Sequence, residues 1–252
     1  MRLSNWIRFF DSGFYMRGWG FRIDLERTIQ EVEGVLNLLK PEPGSHIIDW
    51  CGGWGRHAIE LAKRGFEVTL LDFCMPHIEE ARRRAWGTGV AERMRFVHAD
   101  FKRTPSSLQA DYAINLFTSG LGYLREHDDL KALQSLHRAL KPGAKIIIDT
   151  MNLFWLARNY QPRGWYQTEN GERRLLSERE FDFITGRNLS TDTLYDKGAI
   201  EECSLSHRIF SPAELARLLS QAKFKPLSLY GDFDGQEFGF DSRRIIMIAE
   251  KR

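Results

Sequence analysis

Cysteine is scarce in this 252-residue chain: only Cys51, Cys74 and Cys203 occur. Their number is odd and they show no paired metal-ligand spacing, so a disulfide framework and a cysteine-based metal site are not expected. Reduced thiols in a cytoplasmic protein are the expectation. The seven histidines, His57 and His207 among them, also lack metal spacing, so no metal is assigned. Net charge is equally sparse. Thirty-six Lys and Arg face 34 Asp and Glu, leaving +2, with the two signs interleaved. That balance argues against a nucleic-acid or membrane surface built on charge. Long apolar runs are missing: "IIMIA" near the C-terminus is far too short to span a bilayer. The opening "MRLSNWIRFFDSG" lacks the uninterrupted apolar core of a signal peptide. What remains, 42% hydrophobic and 28% charged, suits one large domain, or one domain with a substantial insertion.

From about residue 45 to 150, strand-like and helix-like segments alternate. "SHIID" reads as a strand, and "GRHAIELAKRG" as a helix with Ala58, Ile59, Leu61 and Ala62 on its apolar side, stopped by Gly65. "FEVTLLDF", "MRFVHADF", "DYAINLF" and "AKIIIDTM" follow as strands, separated by helices through "MPHIEEARRRAWG" and "DLKALQSLHRAL". Such alternation calls for a parallel sheet with right-handed crossovers. Before it, "DLERTIQEVEGVLNLLK" is strongly helical. After residue 160, polar–apolar alternation with Gly and Asn-Gly punctuation reads as antiparallel strands. A last helix, "SPAELARLLSQAKF", begins with the capping-box residues Ser211 and Glu214, and two strands finish the chain.

Three glycines interrupt the first strand-to-helix turn, in "IIDWCGGWGRHAIELAKRG". Clustered glycines there suggest a ligand approaching the backbone. Gly53, Gly55 and Ala58 satisfy G-x-G-x-x-A, and Asp72 ends the next strand as a ribose-binding acid would. A nicotinamide-dependent oxidoreductase is therefore one reading. Against it, Asp49 sits at the mouth of the turn, where a carboxylate repels phosphate and welcomes an ammonium group. No G-K-[ST] follows the glycines, which excludes a P-loop. Asp49 and Asp100 could each cap a turn; acids at three successive strand ends outweigh that.

Taken together, "IIDWCGGWGRHAIELAKRGFEVTLLDF", "HADF", "DYAINLFTSGLGYL" and "RALKPGAKIIIDTMN" resemble the class I S-adenosylmethionine-dependent methyltransferases, small-molecule type. The resemblance covers residues 30–150 well and the last third loosely. It implies a Rossmann-like, mostly parallel twisted α/β sheet with helices on both faces, plus an antiparallel strand insertion after the fifth strand. The implied organisation is an N-terminal helical cover over 1–40, a cofactor-binding domain over 41–160 and 211–252, and a substrate-covering insertion over 161–210.

It also implies roles for residues. Asp49 would favour the methionine ammonium of S-adenosylmethionine, with Gly52, Gly53 and Gly55 admitting the cofactor to the backbone. Asp72 would hold the ribose hydroxyls and Phe73 the adenine face. Asp100 and Phe101 would bound the adenine pocket. Asn115, Leu116 and Phe117 would contact the methionine part, whose carboxylate Tyr15 and Arg22 would reach. Acceptor contacts are expected from Tyr15, Trp19, Phe117, Tyr123, Asn152, Trp155 and Arg208. The pattern departs at Cys51, which replaces the first glycine, and at Trp54, where a small residue is usual.

Methyl transfer from a sulfonium is an in-line displacement, so alignment and exclusion of water supply much of the catalysis. A base is needed only for a hydroxyl or protonated amine; Tyr123 and His207 are the candidates. The Asp/Asn-Pro-Pro-Tyr motif of amino-methylating DNA enzymes is missing. The expectation is methyl transfer to an N, O or C nucleophile of a small molecule, yielding S-adenosylhomocysteine. The oxidoreductase, and a catalytically silent methyltransferase-like binding protein, stay as alternatives.

Overall fold

The computed structural model describes residues 6–168 and 170–252, the side chain of Arg22 excepted. Two short aromatic helices, α1 (Trp6–Asp11) and α2 (Phe14–Gly18), lead into α3 (Leu25–Leu39). Asp24 caps α3 by accepting from the Arg27 amide. The alternating core follows: β1 (His46–Trp50), α4 (Arg56–Lys63), β2 (Glu67–Asp72), α5 (Met75–Gly87), β3 (Met94–His98), β4 (Ala110–Asn115), α6 (Glu126–Ala139) and β5 (Leu140–Met151). A one-and-a-half-turn helix, α7 (Leu153–Arg158), precedes four antiparallel strands: β6 (Arg163–Gln167), β7 (Arg173–Asp182), β8 (Arg187–Asp196) and β9 (Ala199–Arg208). Helix α8 (Pro212–Gln221), β10 (Phe224–Tyr230) and β11 (Arg244–Lys251) complete the chain.

The main sheet has seven strands in the order β10-β11-β5-β4-β1-β2-β3. β1 to β5 are parallel, and β11 lies antiparallel between β5 and β10. This is the α/β sheet the alternation predicts, with β6 to β9 forming the separate antiparallel sheet after the fifth strand. The order reverses between β1 and β4, so their carboxyl ends open the crevice where such sheets take ligands.

Apolar runs make the central strands buried on both faces. On one face Leu133 and Leu136 of α6 pack with Leu215 and Leu219 of α8. On the other, Val35 of α3, Leu61 of α4 and Ile78 of α5 pack together. A third cluster joins Phe9 and Phe14 of the N-terminal helices to Leu175, Leu194 and Cys203 of the antiparallel sheet. The Ser211–Glu214 capping box forms at α8 as its sequence predicts. The strand expected at "AKIIIDTM" starts earlier: β5 already begins at Leu140 and shifts register before Lys145, with Gly143 at φ +75°.

Candidate active site

The three acids stand where the sequence puts them, at or just past the carboxyl ends of β1, β2 and β3. Asp49 is buried, and its Oδ2 has no hydrogen-bond partner. Burial pushes its pKa up to about 7, opposed by the charge of Arg56 and the Ala58 backbone N–H. Asp72 accepts the Gly53 amide on one oxygen and the Cys74 amide on the other, both at 2.9 Å. Its acidity is weakened by burial, with His77 Nδ1 3.9 Å away pulling the other way. Asp100 accepts the Lys102 amide at 2.9 Å and so caps a short turn. Phe101 is buried against Trp50, ring centres 5.5 Å apart, in the core.

The turn between β1 and α4 needs its glycines. A Cβ on Gly52 would stand 2.3 Å from Leu70 Cδ1 and 2.5 Å from Asp49 Cγ, closer than real atoms approach. Gly53 and Gly55 adopt φ +57° and +75°, where side chains are strained. Cys51 tolerates φ +63° beside them. Burial, with Asp72, Asp49 and Asp100 nearby, drives its thiol well above the ordinary range, which favours the protonated, unreactive form.

Beyond β4, Asn115 is buried and donates its amide to the Trp50 carbonyl at 2.7 Å, and Leu116 is buried beside it. Phe117 carries three guanidinium groups on or near its ring: Arg27 at 4.9 Å, Arg56 at 5.0 Å and Arg244 at 6.0 Å. Glu31 binds Arg27, Arg56 and His57. Burial works against the Glu31 charge, but hydrogen bonds from His57 and Arg56 hold its pKa down to about 2. Burial lowers His57 to about 4, so its ring is neutral. Arg56 Nη2 is buried with no partner.

Aromatic side chains from the N-terminal helices roof this floor. Phe10 contacts Tyr15 at 5.2 Å, Tyr123 at 5.5 Å and Phe73 at 6.4 Å. Trp6 stands edge-on to Phe73 at 4.9 Å. Trp54 turns inward, between Tyr15 at 5.6 Å and His77 at 5.8 Å. Burial pushes the Tyr15 phenol up to about 12, with Arg56 and Arg27 moderating it. Tyr123 lies on His207, centres 4.5 Å apart. Burial raises the Tyr123 phenol still further and lowers His207 to about 3.

One aromatic cluster thus gathers Tyr15, Phe73 and Tyr123, with His207 against Tyr123. Trp19 instead donates to Asp192 at 2.9 Å and packs on Tyr166 of the antiparallel sheet. Asn152 corrects its expectation: it caps α7 by accepting the Phe154 amide, and it donates to the Ser242 carbonyl. That amide is fully buried, with both its oxygen and its nitrogen engaged within the chain. Arg208 is engaged by Glu126 and Glu214, and Trp155 by Arg243. Arg22, expected at the methionine carboxylate, has its side chain outside the described residues. Sequence reading missed Phe10, Arg27, Glu31, Arg56 and Arg244, and with Arg244 its buried partner Asp149, which also accepts the Phe117 amide. The only local signal was Arg56, a cation in the first turn after the glycines.

The family model for "Methyltransferase domain" matches residues 47–143, which span β1 through the start of β5. Over those residues the chain is similar to that family. An Escherichia coli K12 tRNA 5-carboxymethoxyuridine methyltransferase is 32% identical over 114 residues, 45% of this chain and 42% of that protein. The chain therefore spans less than half the length of the first curated relatives it matches. A glycine/sarcosine N-methyltransferase of Aphanothece halophytica is 24% identical over 238 residues, 89% of this chain and 83% of that one. A crystal structure of an S-adenosylmethionine-dependent methyltransferase from Clostridium acetobutylicum superposes with TM-score 0.79 at 13% identity, covering 95% and 97% of the two chains. That likeness extends the methyltransferase fold beyond residues 47–143 to the antiparallel sheet. None of these three relatives is a nicotinamide enzyme.

Proposed function

We propose that this protein moves the methyl group of S-adenosylmethionine to a small-molecule acceptor, with a neutral amine as the preferred nucleophile. The observation that carries the reading is a pair of buried, unpartnered polar atoms of opposite charge, Asp49 Oδ2 and Arg56 Nη2, on either side of the glycine turn. Buried polar atoms without partners are rare and call for one. An amino-acid zwitterion supplies both: its ammonium to Asp49, its carboxylate to Arg56. The glycine turn supports the fit at Gly53, where an added Cβ would meet only His77 Nδ1, at 3.9 Å, so the backbone there is open to close approach. Asp72, already oriented by two backbone amides, would take the ribose hydroxyls, and Phe73 the adenine face. Asp100 stands at the next strand end.

Bound there, S-adenosylmethionine supplies an activated methyl on a sulfonium. The chain's part is to align the acceptor and exclude water, which the roof of Phe10, Tyr15 and Trp54 would do. Tyr123 stays protonated and His207 is too weak a base near neutral pH. With neither able to remove a proton from a hydroxyl, the acceptor best suited is one with a free lone pair, such as an unprotonated amine. One relative that matches 89% of the chain, the glycine/sarcosine enzyme, is an N-methyltransferase, which supports that preference. The tRNA-directed relative matches under half of it.

Calorimetric titration with S-adenosylmethionine, S-adenosylhomocysteine and NAD, beside an Asp72→Ala variant, tests the cofactor reading. Binding of the first two, lost in the variant and missing for NAD, is the expected result. NAD binding alone would overturn it. A screen of small amines against matched alcohols then tests the acceptor class.

A further inference from the structure

Phe117 and Thr118 have φ of +61° and +59°. Among the described residues they are the one pair of consecutive non-glycine residues in the left-handed region. The other such positions sit singly, at helix or hairpin ends or in the glycine turn. Left-handed backbone is costly for a bulky residue and more so for a β-branched one. The same loop uses glycine where it needs positive φ at Gly120 and Gly122. At 117 and 118 it keeps side chains despite the strain, so something outside the turn must hold it.

Asp149 and Arg244 are in place to do so. Asp149, buried on β5, accepts the Phe117 N–H on Oδ2 at 2.8 Å, and its own carbonyl accepts the Thr118 N–H at 3.0 Å. Arg244, opening β11, donates Nε to the other Asp149 oxygen at 2.5 Å. Its Nη2 donates to the Thr118 hydroxyl at 3.0 Å, and its guanidinium flanks the Phe117 ring. Both amides of the strained pair, the Thr118 side chain and the Phe117 ring are thus fixed by two residues from neighbouring strands. Replacing either side chain at 117 or 118 by glycine would relieve strain but give up the ring over Arg27 and Arg56 or the bond from Arg244.

We propose that Asp149 and Arg244 are positioning residues: they hold the Phe117–Thr118 turn left-handed and so fix the arginine-faced wall of the cofactor pocket. The pocket part of this rests on the reading under Proposed function; the clamp itself does not. The ion pair carries the turn's orientation across from β11, so a residue far from the glycine turn in sequence sets the pocket's wall. Nothing in the mechanism has these two residues touch the reacting atoms.

The test uses the full chain and four variants: Asp149→Ala, Arg244→Gln, Thr118→Gly, and Asp149→Ala with Thr118→Gly. Two readouts are taken, amide exchange of Phe117 and Thr118, and calorimetric affinity for S-adenosylhomocysteine. Asp149→Ala and Arg244→Gln should speed exchange at both amides at least tenfold and weaken binding about tenfold. Thr118→Gly should recover several-fold of the affinity in the Asp149→Ala background while giving none in the wild type. A merely structural role for Asp149 would show no such background-dependent rescue. Arg244, partly exposed, keeps the test open if Asp149→Ala does not fold. Unchanged exchange in Arg244→Gln overturns the clamp. Faster exchange with unchanged affinity overturns its role in the pocket. If the wild type binds no S-adenosylhomocysteine, the cofactor reading fails and amide exchange still decides the clamp.

Discussion

Asp49 shows how one buried atom links stability and binding in opposite directions. Its folded pKa, about 7, lies above the ordinary aspartate value of about 3.9 because burial penalises the charge. Between these two values the native state keeps a proton that the unfolded chain has released. Stability contributed by Asp49 is therefore full below about pH 4 and declines as pH rises to about 7. An ammonium ligand needs the ionised form, so affinity should rise over that last stretch. With a pKa near 7, the ionised fraction, and hence the affinity for S-adenosylhomocysteine, increases about tenfold from pH 6 to pH 8. Asp49→Asn should flatten that dependence and bind weakly throughout, as read by titration at four or five pH values. It should also gain stability relative to the wild type as pH rises from about 4 to 7. A wild-type affinity that does not change with pH would separate Asp49 from the ammonium. At the same scale, Gly52→Ala would press a methyl group into Leu70 and Asp49. A cost of about 1–3 kcal/mol in chemical denaturation is expected, with loss of cofactor binding.

Elements differ in how much of themselves the chain displays. The β1–β5 alternation is legible because buried parallel strands are short apolar runs and the helices between them carry a 3.6-residue apolar stripe. Asp49, Asp72 and Asp100 are legible for the same reason: finding the strands finds their ends. Helices α1 and α2 were expected only through the resemblance, as part of a helical cover: six and five residues are too few for a period, and Trp6 and Phe10 meet Phe73 and Tyr123 more than 50 residues away. The charged wall is hidden more completely. Glu31, Arg56, Asp149 and Arg244 come from four elements, and only the sheet order brings them to one place. Asn152 misled because a helix cap and a substrate ligand use the same amide. The antiparallel sheet was read as strands, but its tie to the domain was not. Arg187 of β8 donates to the carbonyls of Gly122, Leu124 and Ser206, stapling the sheet to the loop that carries Tyr123. Arg187→Ala leaves those carbonyls without their charged donor. It should lower global stability by roughly 2 kcal/mol and speed amide exchange over residues 119–124. Protection unchanged in that loop would show that the sheet and the loop are held together by packing alone.

At the scale of the whole molecule, Phe10 joins three parts that share little sequence: the N-terminal cover, the β2 end through Phe73, and the loop through Tyr123. If the cover closes over the cofactor, ligand binding and cover packing must be coupled. A ligand that binds only the native state at a hundred times its Kd adds about 2.7 kcal/mol of stability. For a chain of this length that corresponds to roughly 5–10 °C in Tm. S-adenosylhomocysteine should produce such a shift and NAD none. Phe10→Ala removes the shared ring, and a tenfold loss of affinity would reduce the ligand's contribution by about 1.4 kcal/mol. Its ligand-induced shift at the same concentration should therefore be about half that of the wild type, beyond any lowering of the ligand-free Tm. The comparison of shifts, not of melting temperatures, isolates the coupling, because Phe10 also contributes ordinary packing. A variant that melts lower but keeps the full shift would mean that the cover stabilises the fold without gripping the ligand, and water exclusion would then fall to Trp54 and the Phe117 turn.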